Sequence, residues 1–145
     1  MEKLNDIIFY HLDKAIKTYR QFAQKRLKQA GINLTIDQWM VLKTIVDHPG
    51  ISQRDIAANV FKDEAAVTRI IDLLVKKELL SRSFHSTDRR RIELNTNANT
   101  KKLLKEVNEI TLKNRAIALD GVTPADLEMV KNVLTIISAN CNYPG

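Results

Sequence analysis

Apolar residues recur three or four positions apart over most of the chain, which predicts a mainly helical fold. A stripe over residues 8–27 predicts a long first helix, and Gly31 is placed to end it. A second stripe follows Thr35, reaches Val46 and stops at His48-Pro49-Gly50. The whole chain holds only four glycines and three prolines, which agrees with a helix-rich fold.

Two short amphipathic segments come next, with the spacing of a helix-turn-helix. Ser52, with Asp55 three residues later, approximates a capping box for a helix over 53–59. Phe61-Lys62 form the predicted turn, and Asp63 is a good N-cap for a helix over 63–77. This second helix has an apolar face, expected to be buried, and a mostly polar face. The apolar face carries Val67, Ile70, Ile71 and Leu74, and the other carries Ala65, Thr68, Arg69, Asp72 and Lys76.

Alternating residues then flank a polar tip, which predicts a β-hairpin with one buried face. The alternating positions are Leu80, Arg82 and Phe84 before the tip and Ile92 and Leu94 after it. Three adjacent arginines at the tip concentrate positive charge. The tip carries Asp88, Arg89, Arg90 and Arg91.

Two more helices complete the predicted order. Thr96 is placed to cap a long helix that carries Leu103, Leu104 and Val107. Residues 121–124 break it, and Thr123 with Pro124 suits the start of a last helix. The predicted fold class is mainly α with a small β-wing.

Composition restricts the class of protein. With 145 residues, 44% of them hydrophobic, the chain is long enough for one domain with its own core. The formal net charge of +6 favours an anionic partner without identifying it. A single cysteine, Cys141, excludes an internal disulfide and suits a reducing compartment. Because the N-terminus lacks the apolar core of a signal peptide and no apolar run approaches the ~20 residues of a membrane span, we expect a cytoplasmic protein with no membrane association.

The chemistry of these segments indicates a double-stranded DNA partner. The second helix of a helix-turn-helix enters the major groove, where Ala65 and Ala66 would allow a close approach of the backbone. Thr68 and Arg69 offer donors to base edges or phosphates. The tip arginines suit the minor groove or the phosphates beside it, and Asp88 would orient one of them through a carboxylate pair.

Four motifs occur in a specific order along the chain: Thr35-x-x-Gln38-Trp39-x-x-Leu42, Ile51-Ser52-x-x-Asp55-Ile56-Ala57, Val67-Thr68-Arg69-x-x-Asp72-x-Leu74 and Asp88-Arg89-Arg90. Together they resemble the MarR family of winged helix-turn-helix regulators, over essentially the whole chain. The resemblance implies a homodimer, and a ligand-responsive repressor that binds a pseudo-palindromic operator. It also implies one domain over 1–145, with dimerisation helices over about 1–30 and 100–142 and a winged helix-turn-helix lobe over about 35–96.

The residues expected to contact DNA lie on the helix-turn-helix and the wing. They are Gln53, Arg54, Lys62, Ala65, Ala66, Thr68, Arg69, Lys76, Arg89, Arg90 and Arg91.

Three residues depart from the family pattern. Glu78 stands where a glycine usually follows the recognition helix, and a left-handed conformation there would cost a non-glycine residue roughly 1 kcal/mol, which favours a different helix end. Asn99 replaces another frequent glycine, a milder change because asparagine tolerates that conformation. Ala66 occupies a position where serine or threonine is common. These changes affect the expected operator sequence more than the fold.

Effector, metal and enzyme sites leave weaker signals. The resemblance implies a small phenolic or anionic effector, with His11, Tyr19 and Trp39 as candidate contacts, although Tyr19 and Trp39 also suit core positions. No basic cluster lies near Cys141 in the sequence, which argues against a redox switch. The histidines lack metal-ligand spacing, and no phosphate-binding glycine loop or nucleophile elbow is present. We therefore predict no enzyme activity, no metal and no cofactor.

A winged-helix protein-interaction module that has lost operator binding is the alternative interpretation. Asp63 and Glu64 support it because carboxylates at the start of the recognition helix repel phosphate, and Ala66 supports it because a polar contact is missing there.

Overall fold

A computed structural model describes residues 1–142 and Pro144. The predicted order of four helices, a hairpin and two helices is confirmed, and a short 3-10 turn over Leu4–Asp6 precedes it. The elements are α1 (Ile8–Gln29), α2 (Ile36–Asp47), α3 (Gln53–Val60), α4 (Glu64–Lys76), β1 (Ser81–Phe84), β2 (Ile92–Asn95), α5 (Ala98–Ala118) and α6 (Pro124–Cys141).

Backbone contacts divide the chain into two compact units, Met1–Asn114 and Arg115–Gly145. The first unit holds α1 to α4, the hairpin and most of α5, and the second holds the end of α5 and α6. The assignment of one domain to residues 1–145 stays a prediction. Among the described residues, no helix is both long enough and apolar enough to cross a membrane.

The core of the first unit is formed by the apolar faces of its helices and by the residues that lead into the hairpin. Val46, which the sequence pattern placed in the buried stripe of α2, is instead 39% exposed because it lies in the last turn of that helix and borders an open cleft. The buried core comprises Leu27, Leu34, Val41, Leu42, Ile45, Ile56, Ala57, Val60, Val67, Ile71, Leu74, Leu79, Leu80 and Val107.

Helix α4 ends in the left-handed turn that a glycine would favour, although the residue there is Glu78, with φ of 60°. The backbone N–H of Leu79 donates to the carbonyl of Leu74, and that of Glu78 donates to Val75, which is the Schellman arrangement. The expectation of a different helix end is therefore wrong. The side-chain amide of Asn97 donates to the Glu78 carbonyl, at 2.8 Å, and stabilises this turn further.

The start of α5 corrects two expectations. The N-cap is Asn97 rather than Thr96, because the Asn97 carboxamide oxygen accepts the backbone N–H of Thr100 at 3.0 Å. The buried Thr100 hydroxyl donates to the carbonyl of Leu79, at 2.6 Å, and so ties α5 to the start of the hairpin. Asn99 lies within α5 and needs no left-handed conformation.

The hairpin is antiparallel, with Arg82 opposite Leu94 and Phe84 opposite Ile92. Its apolar face is buried only near the helices, where Leu94 packs against the core. Phe84 and Ile92 are 71% and 55% exposed, because the outer end of the hairpin lies beyond the helices that cover its base. The prediction of one buried face is thus correct for the inner half of the hairpin and wrong for the outer half.

Candidate nucleic-acid interface

The helix-turn-helix is held by local caps. The Ser52 hydroxyl accepts the backbone N–H of Asp55 at 3.2 Å, which is one half of the expected capping box. Phe61 makes the turn in the left-handed conformation, with φ of 60°. The Asp63 carboxylate accepts the backbone N–H of Ala66 at 2.7 Å, so it stabilises the positive end of α4.

The two faces of α4 separate as the pattern predicts. Val67, Ile71 and Leu74 are buried, and Ile70 is half-buried. Of the α4 residues expected to contact DNA, only Ala66 is half-buried rather than exposed, and Gln53 at the start of α3 is also half-buried. The exposed face consists of Ala65, Thr68, Arg69, Asp72 and Lys76, together with Leu73, which the pattern did not single out.

Two of the expected DNA contacts are hydrogen-bonded to each other. The Gln53 amide at the start of α3 donates to the Thr68 hydroxyl at 3.3 Å. That hydroxyl donates its own proton to the Glu64 carbonyl, at 2.9 Å. Because a hydroxyl has one proton, Thr68 in this geometry presents its methyl group and remaining acceptor capacity outward.

The wing is joined to the exposed face of α4 by an ion pair. The Arg82 guanidinium on β1 donates to the Asp72 carboxylate, and both side chains are partly exposed. This pair offsets a carboxylate that would otherwise repel phosphate beside Arg69 and Lys76. No local sequence pattern identifies Arg82 as the partner of Asp72, since the contact joins different elements.

The arginine-rich tip has an internal carboxylate contact. One Asp88 oxygen accepts both the backbone N–H and the side-chain Nε of Arg90, at 3.0 and 3.3 Å. The Arg90 side chain is nevertheless 94% exposed. Within residues 1–142 and 144, no carboxylate lies at ion-pair distance from the side chains of Arg54, Arg69, Lys76, Arg89 and Arg91.

The flanks of α4 carry two lysines in other roles. The Lys62 ammonium lies 3.2 Å from the Asp37 carboxylate in the first turn of α2, so its charge is partly neutralised. The Lys77 ammonium donates to the Asn33 carbonyl at 2.8 Å and to the Gln38 side chain at 3.0 Å. Lys77, which no sequence pattern singles out, therefore anchors the end of α4, the recognition helix, to the start of α2.

The three effector candidates occupy different surroundings. His11 is exposed and its Nε2 contacts the Asn5 carbonyl, Tyr19 is half-buried beside Phe22, and Trp39 is half-buried against the core. A cleft of about 660 Å³ lies elsewhere, between the end of α2, strand β2 and the start of α5. Its lining residues are Ile45, Val46, Pro49, Gly50, Glu93, Leu94, Asn95, Thr96, Lys101 and Leu104.

Residues 34–92, from just before α2 to the start of β2, match the sequence model of the MarR family. This range contains the helix-turn-helix and the wing tip described above. The chain belongs to the MarR family. It is accordingly a winged-helix, DNA-binding transcriptional regulator.

Solved structures agree with this assignment. A Listeria innocua protein of unknown function is 31% identical, with 95% of each chain covered and a TM-score of 0.71. BpsR of Bordetella bronchiseptica, whose DNA binding is regulated by 6-hydroxynicotinic acid, is 21% identical, with 95% of this chain and 97% of that chain covered and a TM-score of 0.84. MepR of S. aureus, in a complex with DNA, is 22% identical, with 92% and 98% covered and a TM-score of 0.81. The last two likenesses show the fold of this MarR-family chain.

Proposed function

We propose that this MarR-family chain is a sequence-specific repressor that binds double-stranded DNA as a homodimer, on a pseudo-palindromic operator in the cytoplasm. The observation that carries the proposal is the Asp72–Arg82 ion pair, which joins the exposed face of α4 to the arginine-tipped wing. A helix and a wing joined in this way suit one duplex, with the helix in the major groove and the wing at the phosphates or the minor groove.

The proposed roles follow from exposure and pairing. Arg69, exposed and without a carboxylate partner among the described residues, is assigned to a guanine edge or a phosphate. Thr68 presents a methyl group to a base, and Ala65 allows close approach. Polar and phosphate contacts are assigned to Gln53, Arg54, Lys76, Arg89, Arg90 and Arg91. Asp88 orients Arg90, and the half-buried Ala66 and the paired Lys62 make lesser contributions.

A selection of bound duplexes from random DNA, followed by a gel shift on the selected site, tests this proposal. We expect a discrete complex that survives an excess of nonspecific competitor, and an enriched sequence with two-fold symmetry. A chain that had kept the winged fold as a protein-interaction module would give neither result. Repression is then tested with a reporter under the selected site.

The homodimer is inferred from apolar surface that each unit leaves exposed. In the first unit, Ile8, Phe9 and Ile16 of α1 are about half exposed. In the second unit, no described residue of α6 is buried. Large contiguous apolar surfaces on a folded protein mark interfaces. The exposed apolar residues of α6 include Met129, Val130, Val133, Leu134 and Ile136.

Sedimentation equilibrium tests the dimer. We expect the wild-type chain to sediment as a dimer and the Val133→Asp variant to shift toward monomer, because a carboxylate in an apolar interface loses its hydration. Asn132→Asp is the matched control, since Asn132 is an exposed polar neighbour on the same helix. Equal dissociation of both variants would assign the effect to charge alone.

A small phenolic or anionic molecule is the proposed effector, and the cleft beside β2 is its proposed site. Ile45, Leu94 and Leu104 offer apolar walls, and the Lys101 ammonium has no carboxylate at ion-pair distance among the described residues. Because β2 forms one side of the cleft, a bound ligand would change the position of the wing. The regulation of BpsR by 6-hydroxynicotinic acid supports this class of effector.

Titration of the protein–DNA complex with 6-hydroxynicotinate tests the site. We expect release of DNA from the wild-type protein and a weaker response from Lys101→Ala, with Lys102→Ala as the charge-matched control. His11, Tyr19 and Trp39, which do not line this cleft, remain the predicted contacts of an alternative effector site. Loss of the response in Tyr19→Phe with no change in Lys101→Ala would place the effector beside α1 instead.

A further inference from the structure

His85, directly after strand β1, occupies the centre of a hydrogen-bonded turn at the wing tip. Its Nδ1 lies 3.2 Å from the backbone nitrogen of Thr87 and 3.2 Å from that of Asp88. The Thr87 hydroxyl is 3.1 Å from the same nitrogen. The ring is only 24% exposed, although it belongs to the most cationic loop of the chain.

The protonation state of this ring follows from its partners. Backbone N–H groups only donate, so Nδ1 must accept, and it accepts only when it carries no proton. The remaining proton of the neutral ring then lies on Nε2, which faces the Glu93 carboxylate on β2 at 3.6 Å. A side-chain acceptor that receives the N–H groups two and three residues later is the role that asparagine and aspartate play in Asx turns.

The turn around His85 determines where the wing cation lies. Asp88, whose backbone N–H is held by His85, directs its carboxylate to Arg90. Two backbone hydrogen bonds close the loop around the same residues. The backbone N–H of His85 donates to the Arg91 carbonyl at 2.9 Å, and the backbone N–H of Arg91 donates to the Asp88 carbonyl at 3.0 Å. The imidazole, the Asp88 carboxylate and the Arg90 guanidinium thus form one connected series.

We propose that His85 is a positioning residue for DNA binding: its neutral imidazole organises the wing turn that presents Arg90, and addition of a second proton disorganises that turn. This inference rests on the proposed function. Protonation places an N–H at Nδ1 against the two N–H groups of the turn, so both hydrogen bonds are lost and like dipoles face each other.

Charged groups of both signs lie around the ring. Glu93 on β2 faces Nε2. Within the loop, Asp88 presents its backbone N–H to the ring and its carboxylate to Arg90, and Arg89, Arg90 and Arg91 place positive charge on the same loop. The geometry of the wing turn therefore depends on whether Nδ1 of His85 carries a proton.

Operator affinity measured against pH tests the proposal, with His85→Asn as the decisive variant. The carboxamide oxygen of the introduced asparagine would take the place of Nδ1 as acceptor, and this group does not titrate. Between about pH 8 and about pH 5.5 we expect a loss of about tenfold in wild-type affinity, less than about twofold in His85→Asn, and weak, pH-independent binding in His85→Ala. His48→Asn, which removes a histidine elsewhere, should keep the wild-type profile.

A nitrogen NMR measurement on the free protein separates this inference from the proposed function. At about pH 8 we expect the His85 ring to carry its proton on Nε2, and the Thr87 and Asp88 amide signals to move with pH as that ring titrates. A protein that binds no operator at any pH but shows these shifts would overturn the proposed function and keep the wing turn. A ring protonated on Nδ1 at that pH, or identical pH profiles for wild type and His85→Asn, would overturn the role of His85.

Discussion

Arg82, on the first strand of the wing, forms an ion pair with Asp72, on the exposed face of the recognition helix. The pair has two consequences for a DNA-binding surface. It offsets the negative charge that α4 would otherwise present beside Arg69, and it connects the base of the wing to a rigid helix. Because both side chains are partly exposed, its contribution to folding stability is expected to be below about 1 kcal/mol.

Removal of Arg82 should therefore weaken DNA binding through Asp72. We expect Arg82→Ala to lose about tenfold in operator affinity, because it frees a carboxylate as well as deleting a cation. The same substitution in an Asp72→Ala background should cost clearly less, and the difference in a double-mutant cycle reports the coupling. Additive effects of the two substitutions would mean that Arg82 contacts DNA independently of Asp72.

Arg90 and Arg69 should differ in what they contribute. We expect Arg90→Ala to weaken binding to all duplexes and to reduce the slope of log affinity against log salt by about one, as the loss of one phosphate contact does.

We expect Arg69→Ala to relax the base preference at one position of each half-site. Lys17→Ala, which removes a paired charge on α1, is the control. A selected-site profile that is unchanged in Arg69→Ala would remove this residue from base recognition.

The start of α6 should respond to acid through Asp126. The backbone N–H of Thr123, and secondly its hydroxyl, hold the pKa of the Asp126 carboxyl below its ordinary value. A lowered folded-state pKa means that the carboxylate stabilises the folded state above the ordinary carboxyl range, and that this contribution is lost as pH falls through the folded value. A carboxyl NMR titration should show a higher Asp126 pKa in Thr123→Ala than in wild type. Equal values would assign the shift to the backbone N–H alone.

Local signals in the sequence were sufficient for most of the fold. Helical stripes report which face of a helix is buried, and caps such as Asp63 act within one turn, so both are readable from neighbouring residues. Two adjacent cap-forming residues, Thr96 and Asn97, could not be separated this way, because the buried contact of Thr100 with Leu79 decides between them. The exposure of Phe84 was likewise hidden, since alternation identifies a face without showing how far the core extends.

In the candidate site too, some features could be predicted from neighbouring residues and others could not. The exposed face of α4 could be predicted from periodicity, and the tip arginines from their clustering. The Asp72–Arg82, Lys62–Asp37 and Lys77–Gln38 contacts join residues that are 10, 25 and 39 positions apart, and no local pattern specifies such partners. The sequence suggested only a DNA-adjacent or solvent-exposed side chain for His85, because its role in the turn depends on which ring nitrogen faces the backbone.

Glu78 offers a direct test of backbone strain at the end of the recognition helix. Its φ of 60° is unfavourable for a residue with a Cβ, by roughly 1–2 kcal/mol, and glycine removes that cost while losing roughly 0.5–1 kcal/mol through the greater entropy of the unfolded chain. We therefore expect Glu78→Gly to raise the free energy of unfolding by about 0.5–1 kcal/mol in urea, with an unchanged m-value. Glu78→Ala keeps the Cβ and removes only the charge, so it should leave stability nearly unchanged. If the alanine variant is stabilised as much as the glycine variant, the charge of Glu78 and not its backbone conformation accounts for the gain in stability. If only the glycine variant is stabilised, the free-energy cost belongs to the left-handed turn, which the hydrogen bonds of Leu79 and Asn97 hold in place.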